Sequence, residues 1–298
     1  MTVPNLVDAL AQGLRDWHDD STWDESVLHV TDLAVSIPPP DGKCPRQLWL
    51  RLQGARKVPP SMGQTLMFLQ GHRLQDVATG LIRRSLGFEW GGEVEVAVSL
   101  PQGITGRADW VLNRNGMVTV VDFKTLRGRA FAYQDLPKPA HVLQVQSYMM
   151  GLDADHGLLL YLDREGQNAA QQFEVERDDE AVMRGIEAAR AIAAGEEIPP
   201  IMEPQIRVRK NRGPDAVYLD MPWQCRYCEY LDMACPGALP GDTRDLGIVG
   251  YVDEGEFVAK AECEVVADIV KMLIGEQEST ENAAPETVKE SAETARGG

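Results

Sequence analysis

A stretch near the middle of the chain, residues 106–124, constrains the fold most strongly. It reads Gly-Arg-Ala-Asp-Trp-Val-Leu-Asn-Arg-Asn-Gly-Met-Val-Thr-Val-Val-Asp-Phe-Lys. Two apolar runs rich in β-branched residues, Ala108–Leu112 and Met117–Val121, flank an Asn-Gly pair. An Asn-Gly pair between two such runs is a strong indicator of a β-hairpin. The sequence therefore predicts two antiparallel strands joined by a tight turn.

The predicted hairpin carries two carboxylates and one ammonium group. Asp109 lies in the first strand, and Asp122 and Lys124 end the second. Residues two apart on a strand share a face, so the three groups can converge. Carboxylates are ligands that Mg²⁺ or Mn²⁺ prefers, and such an ion with a nearby lysine suits phosphodiester hydrolysis. The alternative is a solvated surface ion pair, which is the commoner role of an isolated Asp-x-Lys sequence.

Three segments in order resemble the RecB-like branch of the PD-(D/E)XK nucleases. They are Gly106–Asp109, Val121–Thr125 and Gln144–Tyr148, which reads Gln-Val-Gln-Ser-Tyr. The resemblance implies an α/β fold with a restriction-endonuclease-like core, in which helices flank a mixed central sheet. It also implies a role for each site residue: metal binding by Asp109, Asp122 and the Phe123 carbonyl, catalysis by Lys124, and support of the site by Gln144 and Tyr148.

An upstream helix in this family carries a histidine metal ligand after a glycine. Gly71-His72 occupies the corresponding place in this chain. The resemblance therefore implies that His72 is a metal ligand, whereas an isolated histidine in a helix is more often an ordinary helix residue.

Three of the five cysteines, Cys225, Cys228 and Cys235, fall within eleven positions. In a cytosolic protein, clustered thiolates indicate a metal site more often than disulfides. Cys44 is the best fourth ligand, because it precedes a predicted helix in a proline-bearing loop. The alternative is a set of buried thiols without a metal, and Cys263, in an apolar helical run, is predicted to be a core residue.

This division of one distant and three clustered cysteines resembles the iron–sulfur staple of a subset of RecB-like nucleases. That subset includes the AddB nuclease and the CRISPR-associated Cas-four-type exonucleases. The resemblance implies that Cys44, Cys225, Cys228 and Cys235 ligate a [4Fe–4S] cluster. The last gap has six residues, one more than in many of those relatives. A structural Zn²⁺ is the alternative cofactor, since zinc also accepts four thiolates.

Composition and charge limit the classes of partner. The 298 residues are 44% hydrophobic, which supports a sizeable core. No membrane span or secretory signal is predicted, so we expect a cytoplasmic protein without a membrane partner. The net charge of −17 argues against nucleic-acid binding, but residues 253–298 hold twelve acidic residues against four basic ones. Local groups of arginine and lysine elsewhere are compatible with DNA binding.

The patterns also divide the chain into segments. We predict an N-terminal helix and loop over residues 1–43, a nuclease domain closed by the cysteines over 44–236, a helical segment over 237–274, and a disordered acidic tail over 275–298. Periodicity predicts helices over 62–86, 141–150 and 180–194, strands over 93–100, 157–162 and 171–176, and a loop-rich chain beyond Pro200.

Together these features predict a metal-dependent DNA exonuclease that acts at single-stranded ends. Its context would be recombination, replication or CRISPR-related DNA processing, in a cellular or a phage genome. Because the protein is acidic, such an enzyme could work with a protein partner in a complex that supplies DNA affinity. The first alternative is a DNA-end-binding scaffold with little catalysis, as a subunit of a larger DNA-processing complex. A second alternative is a zinc-stabilised protein without a nucleic-acid role.

Overall fold

The computed structural model describes most of the chain between residues 24 and 259. The described residues are 10, 12–14, 16–17, 24–86, 91–128, 131, 135–166, 170–210, 214–237, 248–253, 256–259 and 270. They divide into two compact units. The first comprises residues 1–201 and 227–235, and the second comprises residues 202–226 and 236–298. The predicted tail over 275–298 and Cys263 lie outside the described residues.

The first unit contains a five-stranded mixed sheet. Its strands follow one another in sequence order: β1 (Gly91–Leu100), β2 (Ile104–Arg114), β3 (Met117–Leu126), β4 (His156–Asp163) and β5 (Ala170–Val175). Only β3 and β4 pair in parallel, and the other neighbours are antiparallel. The mixed central sheet with flanking helices agrees with the predicted α/β fold class.

The predicted hairpin is confirmed. β2 and β3 are joined by Asn115 and Gly116, whose φ angles are 53° and 86°. Two positive φ angles in succession are the requirement of a type I′ turn, which suits the twist of the flanking strands. The Asn-Gly pair therefore sets the register in which the two strands meet.

The first unit includes four α-helices whose ends both lie in the part of the chain that the structure describes. They are α1 (Pro45–Leu52), α2 (Met62–Leu86), α3 (Pro139–Leu152) and α4 (Asp179–Ala194). The Asp178 carboxylate caps α4 by accepting from the Ala181 N–H at 2.8 Å. α3 connects the parallel strands β3 and β4, as a parallel pair requires a crossover. The predicted helices over 62–86, 141–150 and 180–194 are confirmed, with boundary differences of a few residues.

The two faces of the sheet bury different cores. One core joins strand residues such as Val120, Leu159 and Tyr161 to Tyr148 of α3 and Ile186 of α4. The other is smaller and lies under α2. It consists of Trp110, Leu112, Val121, Phe123 and Leu162, with Leu74, Ala78 and Ile82 packed against it. Asp122 and Lys124 alternate with the smaller core along β3 and therefore belong to the face covered by α3.

Gly106 allows β2 to approach this larger core closely. A Cβ atom at this position would lie 2.6 Å from Val30 Cγ2 and 3.0 Å from Tyr148 Cε1. Val30 belongs to a 3-10 helix, Val30–Ser36, and both neighbours are buried. The glycine in the Gly-Arg-Ala-Asp sequence is therefore needed for packing beside the predicted site.

The second unit contains a four-stranded antiparallel sheet. Its strands are β6 (Gln205–Arg209), β7 (Asp215–Asp220), β8 (Ile248–Asp253) and β9 (Glu256–Ala259), and a short helix, α5 (Trp223–Arg226), follows β7. The prediction of a loop-rich chain beyond Pro200 missed β6 and β7. The prediction of a helical segment over 237–274 is wrong for 248–253 and 256–259, which form strands.

Among the helices that the structure describes, no segment combines the length and apolar character needed to cross a bilayer.

We predict that Gly106→Ala destabilises the protein by about 2 kcal/mol, because the added methyl group overpacks the contact with Val30 and Tyr148. Gly80→Ala is the matched control, since nothing lies within 4 Å of a Cβ atom at this position in α2. The control should stabilise the helix by up to about 1 kcal/mol. Denaturant unfolding measures both changes, and equal stability of the two variants would contradict the close approach at Gly106.

Candidate active site

The backbone pairing of the two hairpin strands ends where the two aspartates lie. Pairing of β2 with β3 extends from Arg114–Met117 to Trp110–Val121. At the next position the Asp109 side chain replaces the backbone, and its Oδ2 accepts a hydrogen bond from the Phe123 N–H at 2.8 Å. The Phe123 ring itself is buried and stacks on Trp110, with 6.4 Å between centroids. This arrangement holds the Asp109 carboxylate beside the end of β3.

Asp122 is fully buried beside Asp109. Burial raises the pKa of the Asp122 carboxyl, and the negative charge of Asp109 adds to this effect. Lys124 opposes it, with its Nζ 2.6 Å from Asp122 Oδ2. Among the described residues, neither Asp122 oxygen has a partner in good hydrogen-bond geometry. A buried carboxylate with unsatisfied oxygens needs a further cation or donor.

A hydrogen-bonded network leads from Lys124 to α3. Lys124 Nζ donates to Gln144 Oε1 at 2.9 Å, and Gln144 Nε2 donates to the Tyr148 hydroxyl at 2.8 Å. Gln144 and Tyr148 are four residues apart and share one face of the helix. Burial raises the pKa of the Tyr148 hydroxyl well above its ordinary value, so this group stays neutral. The network fixes the position of the lysine ammonium group.

α2 contributes two further polar groups near Asp109. Gln75 donates a hydrogen bond to the Asp109 carboxylate. A positive charge on His72 also favours ionisation of that carboxylate. Burial outweighs both effects and raises the pKa of Asp109. The sequence analysis missed Gln75. Its position three residues after His72, on the same face of α2, is the pattern that could have identified it.

The His72 side chain is exposed and lies edge-on to the Trp17 ring, with 5.8 Å between centroids. Among the described residues, no three His, Cys, Asp or Glu side chains are close enough together to hold a metal ion as they stand. His72, Asp109 and Asp122 therefore do not form a closed set of three ligands.

The chemistry of the site nevertheless fits a divalent cation. Asp109 and Asp122 supply two hard oxygen ligands of like charge in a poorly hydrated place, and within the described part of the chain Lys124 is the ammonium group that opposes them. The unsatisfied Asp122 oxygens are the observation on which this fit depends. Oxygen ligands of this kind suit Mg²⁺ or Mn²⁺ rather than a soft metal.

A cleft of 780 Å³ borders the site. Its walls come from α2, β1, β2 and the chain before the 3-10 helix, and they include His72, Arg73, Glu95 and Arg107. Arg107 pairs with Glu95 across β1 and β2, with 3.7 Å between Arg107 Nη1 and Glu95 Oε2. A cleft of this volume is large enough for a bound ligand. It shares His72 with the candidate site, whereas Asp109, Asp122 and Lys124 do not line it.

The predicted cysteine ligands occupy both units. Cys44 precedes α1, and burial raises the pKa of its thiol, with a contribution from the nearby charge of Cys235. Cys228 and Cys235 also belong to the first unit, where the Leu231 N–H donates to the Cys228 carbonyl. Cys225 lies in α5 of the second unit. None of these four thiols is in a disulfide, and the described residues do not form a cysteine metal centre.

We predict that Asp122→Asn stabilises the metal-free protein by about 1 kcal/mol, because a neutral amide removes a buried charge that Asp109 repels. Lys124 keeps its hydrogen bond to Gln144 in this variant. Because the pKa of Asp122 is raised in the folded protein, this carboxyl group keeps its proton to a higher pH there than in the unfolded chain. The stability of the wild type therefore falls as the pH rises above about 4, and the advantage of the variant widens towards the raised pKa.

Thermal unfolding in a chelator between pH 5 and pH 8 tests this prediction. Asp135→Asn changes an exposed aspartate and serves as the control, with no expected difference. A metal-free Asp122→Asn protein that unfolds at a lower temperature than the wild type would show that Lys124 fully compensates the buried charge.

Comparison with solved structures gives distant similarities. SSO0001 is 20% identical over 78% of this chain and 97% of its own, with a TM-score of 0.49. The alkaline exonuclease LHK-Exo from Laribacter hongkongensis is 14% identical over 60% and 91%, with a TM-score of 0.40. A phage-related exonuclease from Haemophilus somnus 129PT is 16% identical over 56% and 92%, with a TM-score of 0.41.

No curated protein matches the sequence significantly. A family profile, however, covers residues 42–236 and so includes both aspartates, the lysine and the Gln144–Tyr148 helix face. The matched region is well over half of the chain. The protein therefore belongs to the PD-(D/E)XK nuclease superfamily.

Proposed function

We propose that the protein is a metal-dependent deoxyribonuclease that shortens DNA from single-stranded ends. The observation that supports this proposal most directly is the buried Asp122 carboxylate, whose Oδ1 has no hydrogen-bond partner among the described residues and whose Oδ2 lies 2.6 Å from Lys124 Nζ. A structural ion pair would not require a second carboxylate, the half-buried Asp109, to share the same place. Membership of a nuclease superfamily adds the reaction class.

In this proposal, Asp109, Asp122 and the Phe123 carbonyl hold Mg²⁺ or Mn²⁺, and His72 completes the set from α2. The metal ion, when bound, supplies activation of water and neutralisation of charge on the scissile phosphate. Lys124 positions the attacking water and stabilises the developing negative charge, while Gln144 and Tyr148 keep its ammonium group in place. Exposed Arg73 and Arg107 lie along the cleft, where they can attract the phosphate backbone.

We predict that Lys124→Ala lowers the cleavage rate at least 100-fold, since it removes the group that orients water and opposes the developing charge. The assay incubates end-labelled single- and double-stranded DNA with Mg²⁺, Mn²⁺ or a chelator. Placing the label at either end reports the polarity of cleavage. Lys210→Ala, which changes an exposed lysine in the second unit, should cleave as the wild type does.

Two outcomes would contradict the proposal. If Lys124→Ala keeps most of the activity, cleavage occurs at another site. If the wild type binds DNA ends with a divalent metal present but never shortens them, the protein is a DNA-end-binding scaffold, and the next step is to identify the complex in which it works.

The second cofactor remains a prediction from the sequence. We propose that Cys44, Cys225, Cys228 and Cys235 hold a [4Fe–4S] cluster that closes the nuclease domain, with Zn²⁺ as the alternative. The charge of Cys235 acting on Cys44 supports a close approach of these two thiols within the first unit. A cluster that closes a long loop would stabilise the fold chiefly by restricting the unfolded chain.

Metal analysis of anaerobically purified protein tests this assignment. We predict about four irons with sulfide per chain and a brown colour, and we expect Cys228→Ser to lose both and to unfold at a lower temperature. Cys263→Ser changes the fifth cysteine and should keep the metal. One zinc per chain would establish the zinc alternative. A wild-type protein that contains no metal and is as stable as Cys228→Ser would refute a cysteine metal site.

A further inference from the structure

A histidine on the active-site face of α3 is not used by the proposed reaction. His141 lies three residues before Gln144 and seven before Tyr148, so the three side chains share one face of the helix. The positive charges of Lys124 and Lys138 both act on its ring. His141 is therefore close to the catalytic lysine, on the same side of the sheet.

Tyr161 fixes the orientation of this ring. In the parallel pairing of β3 with β4, Tyr161 lies opposite Lys124, so both side chains project from the same face. The Tyr161 hydroxyl lies 2.8 Å from His141 Nδ1 and also accepts from the Lys138 N–H at 3.0 Å. The centroids of the His141 and Tyr161 rings are 5.7 Å apart. These contacts hold the imidazole between β4 and the beginning of α3.

The same contacts define where the histidine carries its proton. The Tyr161 side chain is fully buried, so its hydroxyl proton requires an acceptor. The Lys138 N–H is a donor and cannot accept this proton, and His141 Nδ1 is the other hydrogen-bond partner of the hydroxyl among the described residues, so Tyr161 donates to Nδ1. A neutral ring that accepts at Nδ1 bears its own proton on Nε2. Burial, together with the two lysines, lowers the pKa of His141 to about 2, so this form persists at every working pH.

His141 Nε2 has no hydrogen-bond partner among the described residues, yet the side chain is not fully buried. A fixed neutral N–H at the edge of a site that handles phosphates is a donor for a phosphate oxygen. A cationic imidazole would be repelled by Lys124, whereas the neutral form adds a donor without adding charge.

We propose that His141 Nε2–H donates a hydrogen bond to a phosphate oxygen of the bound DNA strand and so positions that strand beside Lys124. Tyr161 is the positioning residue that holds the ring in this orientation. This inference rests on the proposed function insofar as the ligand is DNA. It can be tested separately, because binding is measurable without cleavage.

The experiment compares two substitutions that divide the functions of the ring. Asparagine places its amide near Nδ1, so His141→Asn keeps an acceptor for Tyr161 but removes the distant donor. Glutamine reaches the position of Nε2, so His141→Gln keeps a donor to the strand. His156→Asn is the control, since it makes the same change at an exposed histidine at the start of β4.

Fluorescence anisotropy with a labelled single-stranded oligonucleotide, with Ca²⁺ as the divalent ion, measures affinity. We expect His141→Asn to weaken binding about tenfold, as the loss of one hydrogen bond to a charged group implies. His141→Gln and His156→Asn should bind within about twofold of the wild type, a difference well below one hydrogen bond. Neutral methylphosphonate linkages, introduced one at a time, should weaken the wild type at one linkage and leave His141→Asn unaffected there.

The outcomes separate this inference from the nuclease proposal. The inference about His141 is overturned if His141→Asn binds DNA with wild-type affinity. It is also overturned if His141→Asn and His141→Gln lose affinity equally and both unfold at a lower temperature. A wild type that binds no single-stranded DNA also overturns it. A wild type that never cleaves with Mg²⁺ or Mn²⁺, but whose binding follows the expected order, refutes the nuclease proposal and leaves the phosphate contact established.

Discussion

The burial of the Asp122 carboxylate is the constraint on which the rest of the site depends. A charge in the interior of a sheet requires compensation, and here the compensation comes from Lys124, two residues along the same strand. The lysine in turn is held by Gln144, and Gln144 is held by Tyr148. Asp109 adds a second negative charge that these groups leave unbalanced. The site therefore combines two carboxyl groups with one ammonium group in a largely buried place, and this imbalance supports the proposed cation.

The crossover from β3 through α3 to β4 brings these groups together. Asp122 and Lys124 leave β3 on the face that α3 covers, and the parallel register places Tyr161 opposite Lys124. The first turn of α3 adds His141, and the following turns add Gln144 and Tyr148. One local supersecondary unit thus supplies most of the site, and the hairpin adds Asp109. Gln75 and His72 come from α2, which like β2 lies outside this unit.

The parts of the fold that follow short-range rules could be predicted from the sequence. Asn115-Gly116 predicts the hairpin because the turn itself needs two positive φ angles. Helix α2 follows from its periodicity, although its histidine is more exposed than a metal ligand would be when bound. Strands β6 and β7 were missed because they are only five and six residues long, and β6, although it alternates polar and apolar residues, is mostly exposed. Contacts such as Gln75 with Asp109 depend on tertiary packing, which no local pattern contains.

The return of residues 227–235 to the first unit has a consequence for the order of synthesis. The Glu229 carbonyl accepts a hydrogen bond from the Val58 N–H, so the segment that follows α5 joins the segment between α1 and α2. On the ribosome, the N-terminal part of the first unit emerges long before this closing segment. The first unit therefore stays incomplete until β6, β7 and α5 have been translated. A nascent chain that stops before residue 227 lacks the segment that completes this unit.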